Sequence, residues 1–147
     1  MTAPEYELCH ATCVAIGGHA VLIEGRSGAG KSDLALRLID RGATLVSDDQ
    51  TLLHHRDGLL LASAPATIRG RMEVRGLGIV AMPWIDDVPV ALVVRSETEP
   101  ERMPLEHRTR PIAGVQLPCV GLAALESSAP IKVELALARV IGDTEPA

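Results

Sequence analysis

The chain has 147 residues, of which 47% are hydrophobic, and carries a formal net charge of −5 with a pI near 5.5. This size and apolar content fit one compact domain, and the acidic balance argues against general nucleic-acid binding, which needs a basic surface. With one Trp, one Tyr and no Phe, the core must be built from Leu, Val, Ile and Ala, as in a buried sheet flanked by helices.

Neither export nor membrane insertion is expected. The first ten residues, MTAPEYELCH, are acidic and lack the basic and apolar regions of a secretory signal. The longest charge-free run, 111–125, is broken by Pro and Gly and is shorter than the ~20 apolar residues of a membrane helix. Cys9, Cys13 and Cys119 are an odd number of cysteines, and we expect free thiols in a cytoplasmic protein.

The first predicted elements are a hairpin and a helix. Segment 7–16 (ELCHATCVAI) has the composition of a strand, 17–18 (GG) predicts a tight turn, and 19–25 (HAVLIEG) returns as a buried strand. Segment 31–42 (KSDLALRLIDRG) predicts a helix, because its apolar residues recur at helical spacing and its final Gly favours a C-terminal end.

Strands dominate the rest of the chain. In chain order we expect a short strand ending in two acids at 43–49, a hairpin at 50–65 that turns at Asp57–Gly58, and an extended segment with tight-turn glycines at 72–82. A buried strand at 88–97, another strand at 109–118 and a closing helix over 127–142 follow. The Ser residues and Pro130 at the start of that helix are typical of a helix N-terminus. The predicted fold class is α/β, one domain over 1–147 with a strand-rich mixed sheet.

The segment between the second strand and the first helix is GRSGAGKS, which has the P-loop spacing G-x-x-x-x-G-K-[ST]. In such a loop, backbone N–H groups surround phosphates at the helix N-terminus, Lys31 contacts the β/γ-phosphates and the Ser32 hydroxyl coordinates Mg²⁺. The alternative is a Gly-rich turn without a ligand. The predicted nucleotide-binding residues are Gly25, Arg26, Ser27, Gly28, Ala29, Gly30, Lys31 and Ser32.

Three further groups are candidates for the chemistry. Asp48 and Asp49 end the predicted strand after the helix; adjacent acids on a strand point to opposite faces, so one is expected to face an acceptor, unless both are solvated turn acids. Glu73 and Arg75 share a face of an extended stretch, either as a cross-strand salt bridge or with Glu73 on a metal and Arg75 balancing charge. His10 is either a core histidine or part of the site.

The stretch from His10 to Asp49, followed by MEVRGLGIV, resembles the catalytic domain of HPr kinase/phosphorylase. The likeness is nearly continuous from His10 to about Val94 and thinner afterwards. The resemblance implies an enzyme that uses ATP and Mg²⁺ to phosphorylate a serine of the carrier protein HPr. It also implies removal of that phosphate by inorganic phosphate, with release of pyrophosphate.

A GTPase is a poor fit to the sequence. The chain contains no Asn and therefore lacks the Asn-Lys-x-Asp stretch of guanine-reading P-loop proteins.

The resemblance also implies roles for individual residues. Lys31 would hold the phosphates, Ser32 and Glu73 would bind Mg²⁺, and Asp49 would be the proton acceptor in the forward direction and the donor in reverse. Asp48, His10 and Arg102 would complete the catalytic set. HPr would be the protein partner, with no nucleic acid and no membrane involved, and assembly into homo-hexamers would be expected.

Two departures from the family pattern bear on these expectations. Longer family members carry an N-terminal domain ahead of the catalytic one, and we expect a short form without it here. The family's basic, Gly-containing loop after the last strands, linked to dephosphorylation, corresponds here to LPCVGLAALESSAP, which has no Lys or Arg. The phosphorylase activity is therefore less strongly predicted than the kinase. The alternatives are an ATP-binding sensor without transfer and a small-molecule kinase.

Overall fold

The computed structural model describes residues 6–26, 28–101 and 108–142. Its helices are α1 (Lys31–Asp40) and α2 (Ala129–Gly142), with a 3₁₀ turn at Ala66–Ile68. Its strands are β1 (Tyr6–Cys9), β2 (Ala11–Ile16), β3 (His19–Glu24), β4 (Thr44–Ser47), β5 (Thr51–Arg56), β6 (Leu59–Ser63), β7 (Arg71–Val74), β8 (Gly78–Ala81), β9 (Val88–Ser96), β10 (Arg108–Ile112) and β11 (Val115–Leu122). Neither described helix has the length and apolar content needed to cross a bilayer.

Nine of the strands form one mixed sheet: seven follow the order β1-β5-β6-β9-β3-β2-β4, and β10 and β11 lie off this path. Strand β9 is its centre: it pairs in parallel with β3 along most of its length, antiparallel with β6 at its start and in parallel with β11 at its end. The β10–β11 hairpin thus joins the sheet through β9. Strands β7 and β8 form a separate two-stranded antiparallel ribbon.

Both faces of the central strands are buried, which is why their sequences are almost continuously apolar. In β3, Ala20 and Leu22 point into one core cluster while Val21 and Ile23 point into the other, as the two-residue period of a strand requires. Helices α1 and α2 cover the second face, with Leu34, Leu38, Val133 and Leu137 in that cluster. The hairpins β5–β6 and β10–β11 contribute to the first cluster.

The predicted α/β fold class is confirmed, with the first helix directly after the P-loop, but three local predictions are wrong. Segment 7–16 is two strands, because the chain bends at His10 and β1 pairs with β5 while β2 pairs with β3. Segment 109–118 belongs to a hairpin that turns at Ala113–Gly114. Segment 72–82 contains the predicted glycine turn, but its two halves pair as the β7–β8 ribbon instead of forming one extended piece.

The cysteines behave as the sequence predicts. Cys9, Cys13 and Cys119 are free thiols that pack against the same apolar cluster. Burial raises the pKa of all three thiols, so they remain neutral apolar groups. Within the described residues, no group of three or more His, Cys, Asp or Glu side chains is arranged to hold a metal ion.

Candidate active site

The phosphate loop lies between the end of β3 and the start of α1. Gly30 caps the helix in the left-handed conformation, with φ of 87°, and no described side chain makes a capping hydrogen bond to the first turn. Among the described residues, the first-turn N–H groups of α1 therefore have no side-chain acceptor, which is the arrangement that suits an anion at a helix N-terminus. A Cβ at position 30 would lie 2.7 Å from Leu125 Cδ2, so the position also requires Gly for space.

Side chains inside and beside the loop fix its shape. Lys31 Nζ donates to the carbonyl of Gly25 at 2.8 Å, so the ammonium group is directed back over the loop. Ser96, at the end of β9, donates through its hydroxyl to the carbonyl of Ala29 at 2.8 Å. The loop is therefore tied to the neighbouring parallel strand, and its lysine is already placed where phosphates at the helix N-terminus would lie.

The acidic pair lies beside the loop. Ser32 Oγ donates to Asp48 Oδ1 at 2.6 Å, which joins the P-loop serine directly to the first acid. Both acids stand just past the end of β4, in a turn where Asp49 has a φ of 68°. The expectation that strand alternation separates the two side chains is therefore wrong. A turn separates them instead: Asp48 is half-buried against Ser32, and Asp49 is exposed.

Thr12 connects the two acids and was not among the site residues predicted from the sequence. Its hydroxyl donates to Asp48 Oδ1 at 3.3 Å and accepts the backbone N–H of Asp49 at 3.1 Å. The residue is fully buried in β2. One side chain thus holds Asp48 in place and stabilises the left-handed turn at Asp49. The available signal was a polar residue on an otherwise apolar strand.

Glu73 reaches the same place through its backbone. Its N–H donates to Asp48 Oδ2 at 3.0 Å, so each oxygen of the Asp48 carboxylate accepts hydrogen bonds from separate elements. The Glu73 side chain is exposed on β7, and Arg75 lies in the turn after that strand. Among the described residues, no ion pair joins Glu73 to Arg75. The salt-bridge alternative is therefore wrong.

His10 is exposed at the bend between β1 and β2, so the core-histidine alternative is wrong. Its neighbour Ala11 pairs with Glu24, the last residue before the loop, and His10 therefore lies at the loop's edge of the sheet. A cavity of about 370 Å³ opens there, lined by His10, Glu24 and Arg110 among others. Two predicted site residues, Ser27 and Arg102, lie outside the described residues.

Two arginine–carboxylate pairs frame this edge. Arg110 on β10 donates to both oxygens of Glu24, at 2.8 and 3.3 Å. Arg108 donates to both oxygens of Glu97, at 3.2 and 2.9 Å, and this hydrogen bonding holds the pKa of Glu97 below its ordinary value. The first pair joins β10 to the last residue of β3, which leads into the loop, and the second joins β10 to the residue after β9, whose last residue Ser96 bonds the loop. The two pairs therefore fix the β10–β11 hairpin beside the site.

A second cleft, of about 510 Å³, opens on the other side of the loop. Its walls include Gly28, Ala29, Ser96 and the apolar pair Ala124 and Leu125. Its volume is within the usual range for small-molecule sites. The fold and the loop therefore define a P-loop domain with an acidic pair, a nearby glutamate and an adjacent cleft at one edge of a mixed sheet.

Comparison with known proteins narrows that class. Residues 2–85 match the family described as "HPr Serine kinase C-terminal domain". The chain therefore belongs to this family. It is 37% identical over 131 residues to the HPr kinase/phosphorylase of Chlorobium phaeobacteroides, covering 80% of this chain and 41% of that protein. It is 47% identical over 94 residues to that of Clostridium tetani, covering 64% of this chain and 30% of the relative.

A solved structure shares the fold. The HPr(Ser) kinase/phosphatase of Coxiella burnetii superposes with a TM-score of 0.83 at 28% identity, over 95% of this chain and 93% of that one. The chain spans about two fifths of the length of the first curated relatives that it matches. Membership of a kinase/phosphorylase family implies the use of a nucleotide.

Proposed function

We propose that this domain transfers the γ-phosphate of ATP to a serine of an HPr-type carrier protein, with Mg²⁺ as the metal. The observation that carries the proposal is the 2.6 Å hydrogen bond from the P-loop Ser32 to Asp48, with exposed Asp49 next to it. A nucleotide sensor has no need of a free carboxylate beside its phosphate loop, whereas transfer to a hydroxyl needs one. The names of the relatives supply the acceptor.

The residues fit ATP and Mg²⁺ at this place. The uncapped N-terminus of α1 and Lys31 Nζ provide donors and positive charge for the phosphates. Mg²⁺ is usually held by one or two carboxylates together with phosphate oxygens, and the metal would neutralise charge that develops on those oxygens. Ser32 with Glu73 would supply the protein oxygens, and Asp48 would orient Ser32 by accepting its hydrogen bond.

Asp49 is the base in this proposal. Asp48 already accepts hydrogen bonds from Ser32, Thr12 and the backbone of Glu73, whereas the exposed Asp49 side chain makes no hydrogen bond to a described residue. Asp49 would accept the proton of the acceptor serine in the forward direction and return it in reverse, as microscopic reversibility requires. The apolar cleft beside Gly28 and Leu125 would hold the nucleoside. His10 and Arg102 stay predictions as catalytic residues.

The test is Mg²⁺-dependent phosphate transfer from ATP to purified HPr, by the wild type and by Asp49→Asn. Asn tolerates a positive φ, so this variant keeps the turn while losing the base. We expect transfer to fall about 10²- to 10⁴-fold with ATP affinity unchanged. Glu99→Gln, an exposed carboxylate with no hydrogen bond or ion pair within the described residues, is the control and should keep wild-type transfer.

Absence of transfer by the wild type, with ATP bound tightly, would contradict the proposal and favour the sensor; transfer to a small metabolite instead would favour a small-molecule kinase. Pyrophosphate release from phosphorylated HPr and inorganic phosphate measures the reverse reaction separately. Release of pyrophosphate would mean that phosphorolysis does not need the family's basic loop, because the corresponding segment here, LPCVGLAALESSAP, has no Lys or Arg. Hexamer formation stays a prediction of the resemblance, to be measured by light scattering.

A further inference from the structure

The β7–β8 ribbon has two faces of different character. Met72 is 1% exposed and Val74 packs against the same apolar cluster, which contains the buried leucines of α1. On the opposite face, Glu73 stands directly across from Ile79, and Arg71 across from Ala81. All four of these residues are exposed. The alternation of the two strands therefore fixes one face to the core and leaves the other in solvent.

The exposed face and the tip of the ribbon carry large apolar side chains. Leu77, in the turn, is 78% exposed, which is the largest exposure of any large apolar side chain among the described residues. Ile79 is 66% exposed and ranks third in that set. Two large, strongly exposed aliphatic side chains two residues apart at one end of a short ribbon add apolar surface of the kind that interaction sites use. We call Arg71, Glu73, Arg75, Leu77 and Ile79 the ribbon platform.

The charge of the platform differs from that of the chain. The whole chain has a net charge of −5, yet the platform holds two arginines and one glutamate. Arg71 and Arg75 are exposed and make no hydrogen bond or ion pair to a described residue. By contrast, Arg37, Arg41, Arg108 and Arg110 each have a carboxylate partner. Unpaired arginines beside exposed aliphatic side chains favour a partner that is apolar at its centre and acidic at its edge.

One strand of the ribbon directly contacts Asp48, the first residue of the acidic pair. The backbone N–H of Glu73 donates to Asp48 Oδ2 at 3.0 Å, so one strand of the platform touches the acidic pair. At about 3.4 Å per residue, the turn lies on the order of 10 Å from that point. A protein interface of ordinary size covers about 800 Å² on each partner, a disc with a radius of about 16 Å. A protein that brings a serine to Asp49 would therefore cover the platform.

We propose that the ribbon platform is the docking surface for the acceptor protein, an inference that rests on the proposed function. Leu77 and Ile79 contact apolar residues that flank the acceptor serine. Arg71 and Arg75 pair with acidic side chains at the edge of that surface. The platform thus selects a folded protein over a free serine or a small metabolite, because neither of these can cover it.

The test separates binding of the acceptor from catalysis. Transfer to HPr is measured with the double variant Leu77→Ser/Ile79→Ser and with Arg75→Glu, at several HPr concentrations and two salt concentrations. We expect the double variant to raise KM for HPr about tenfold or more while ATP affinity and kcat stay within about twofold. Arg75→Glu should also raise KM and reduce its dependence on salt.

Matched controls are available elsewhere on the surface. Leu59 is 49% exposed at the start of β6, and Arg139 is exposed in the last turn of α2. Leu59→Ser and Arg139→Glu remove the same kinds of group away from the ribbon and should leave KM for HPr unchanged. Circular dichroism of the ribbon variants should match the wild type, since the altered side chains are exposed.

Each outcome either supports or overturns the docking inference. If the wild type transfers phosphate to HPr and the ribbon variants keep its KM, the platform is not the docking surface, although the proposed function stands. If KM rises equally in the control variants, the effect is not located on the ribbon and the inference is also overturned. If the wild type transfers nothing to HPr, the proposed function fails and the docking inference fails with it.

Discussion

Strand β3 buries Ala20 to Ile23 completely on both faces, whereas the β7–β8 ribbon buries only the face that carries Met72. Both regions end at the same site, since β3 leads into the P-loop and the ribbon contacts Asp48 through Glu73. The phosphate-binding parts are therefore supported by the core, while the parts toward an acceptor are open to solvent. This division suits the proposed function, in which buried elements support the bound nucleotide and a separate protein approaches from solvent.

The largest expected loss of stability comes from the inner face of the ribbon. Met72→Ala removes a side chain that is 1% exposed, and we expect the free energy of unfolding to fall by about 2–5 kcal/mol. Ile79→Ala, on the outer face at 66% exposure, should change it by less than about 0.5 kcal/mol. Urea denaturation measures both. Equal losses of unfolding free energy in the two variants would contradict the difference in burial between the two faces of the ribbon.

The loop should be less tolerant of a methyl group than an open turn. Gly30→Ala forces a non-glycine residue to a φ of 87° and places its Cβ 2.7 Å from Leu125 Cδ2. We expect about 1–2 kcal/mol of backbone strain, with more from the contact, and at least tenfold weaker ATP binding. Gly17→Ala, at φ 56° with open space around it, is the control. Gly17→Ala should lose stability through backbone strain alone, and its ATP affinity, measured by calorimetry, should be unchanged.

Thr12 provides a test of how the acids are positioned. Thr12→Val removes the hydroxyl that bonds both Asp48 and the backbone of Asp49, and leaves the part-buried N–H of Asp49 without that acceptor. We expect a loss of about 1–3 kcal/mol in the free energy of unfolding, together with a lower kcat and unchanged KM for ATP. Thr12→Ser keeps the hydroxyl and should recover kcat. Failure of the serine variant to recover kcat would argue against a positioning role.

The smallest effect concerns acid stability. Hydrogen bonds from Arg108 hold the pKa of Glu97 below its ordinary value, so this carboxylate stabilises the folded state at neutral pH. That stability is lost as pH falls below about 4.3 toward the lower pKa of the folded state. Glu97→Gln should lose less stability in that window, as measured by thermal denaturation at pH 7 and below pH 4. If the stability of the variant and that of the wild type fell equally with pH, the lowered pKa of Glu97 would be contradicted.

Short-range patterns in the sequence predicted much of the fold. The turns at Gly17–Gly18 and Asp57–Gly58 were identified by glycine, and the buried strand β3 by its apolar run. The hairpin at Ala113–Gly114 was missed because Ala113 adopts a φ of 51°, which a turn pattern does not expect of alanine. The bend at His10 was missed because it depends on β1 pairing with β5 and β2 with β3, partners distant in sequence.

The sequence by itself predicted the phosphate loop, since the spacing from Gly25 to Ser32 depends only on local backbone geometry and side-chain reach. It also placed the acids and Glu73 in the family pattern. Only the tertiary structure decided how these parts meet. Thr12 bridges Asp48 and Asp49 across 36 and 37 positions of sequence, and Glu73 reaches Asp48 across 25. Such contacts depend on strand register and sheet order, which residue spacing does not encode.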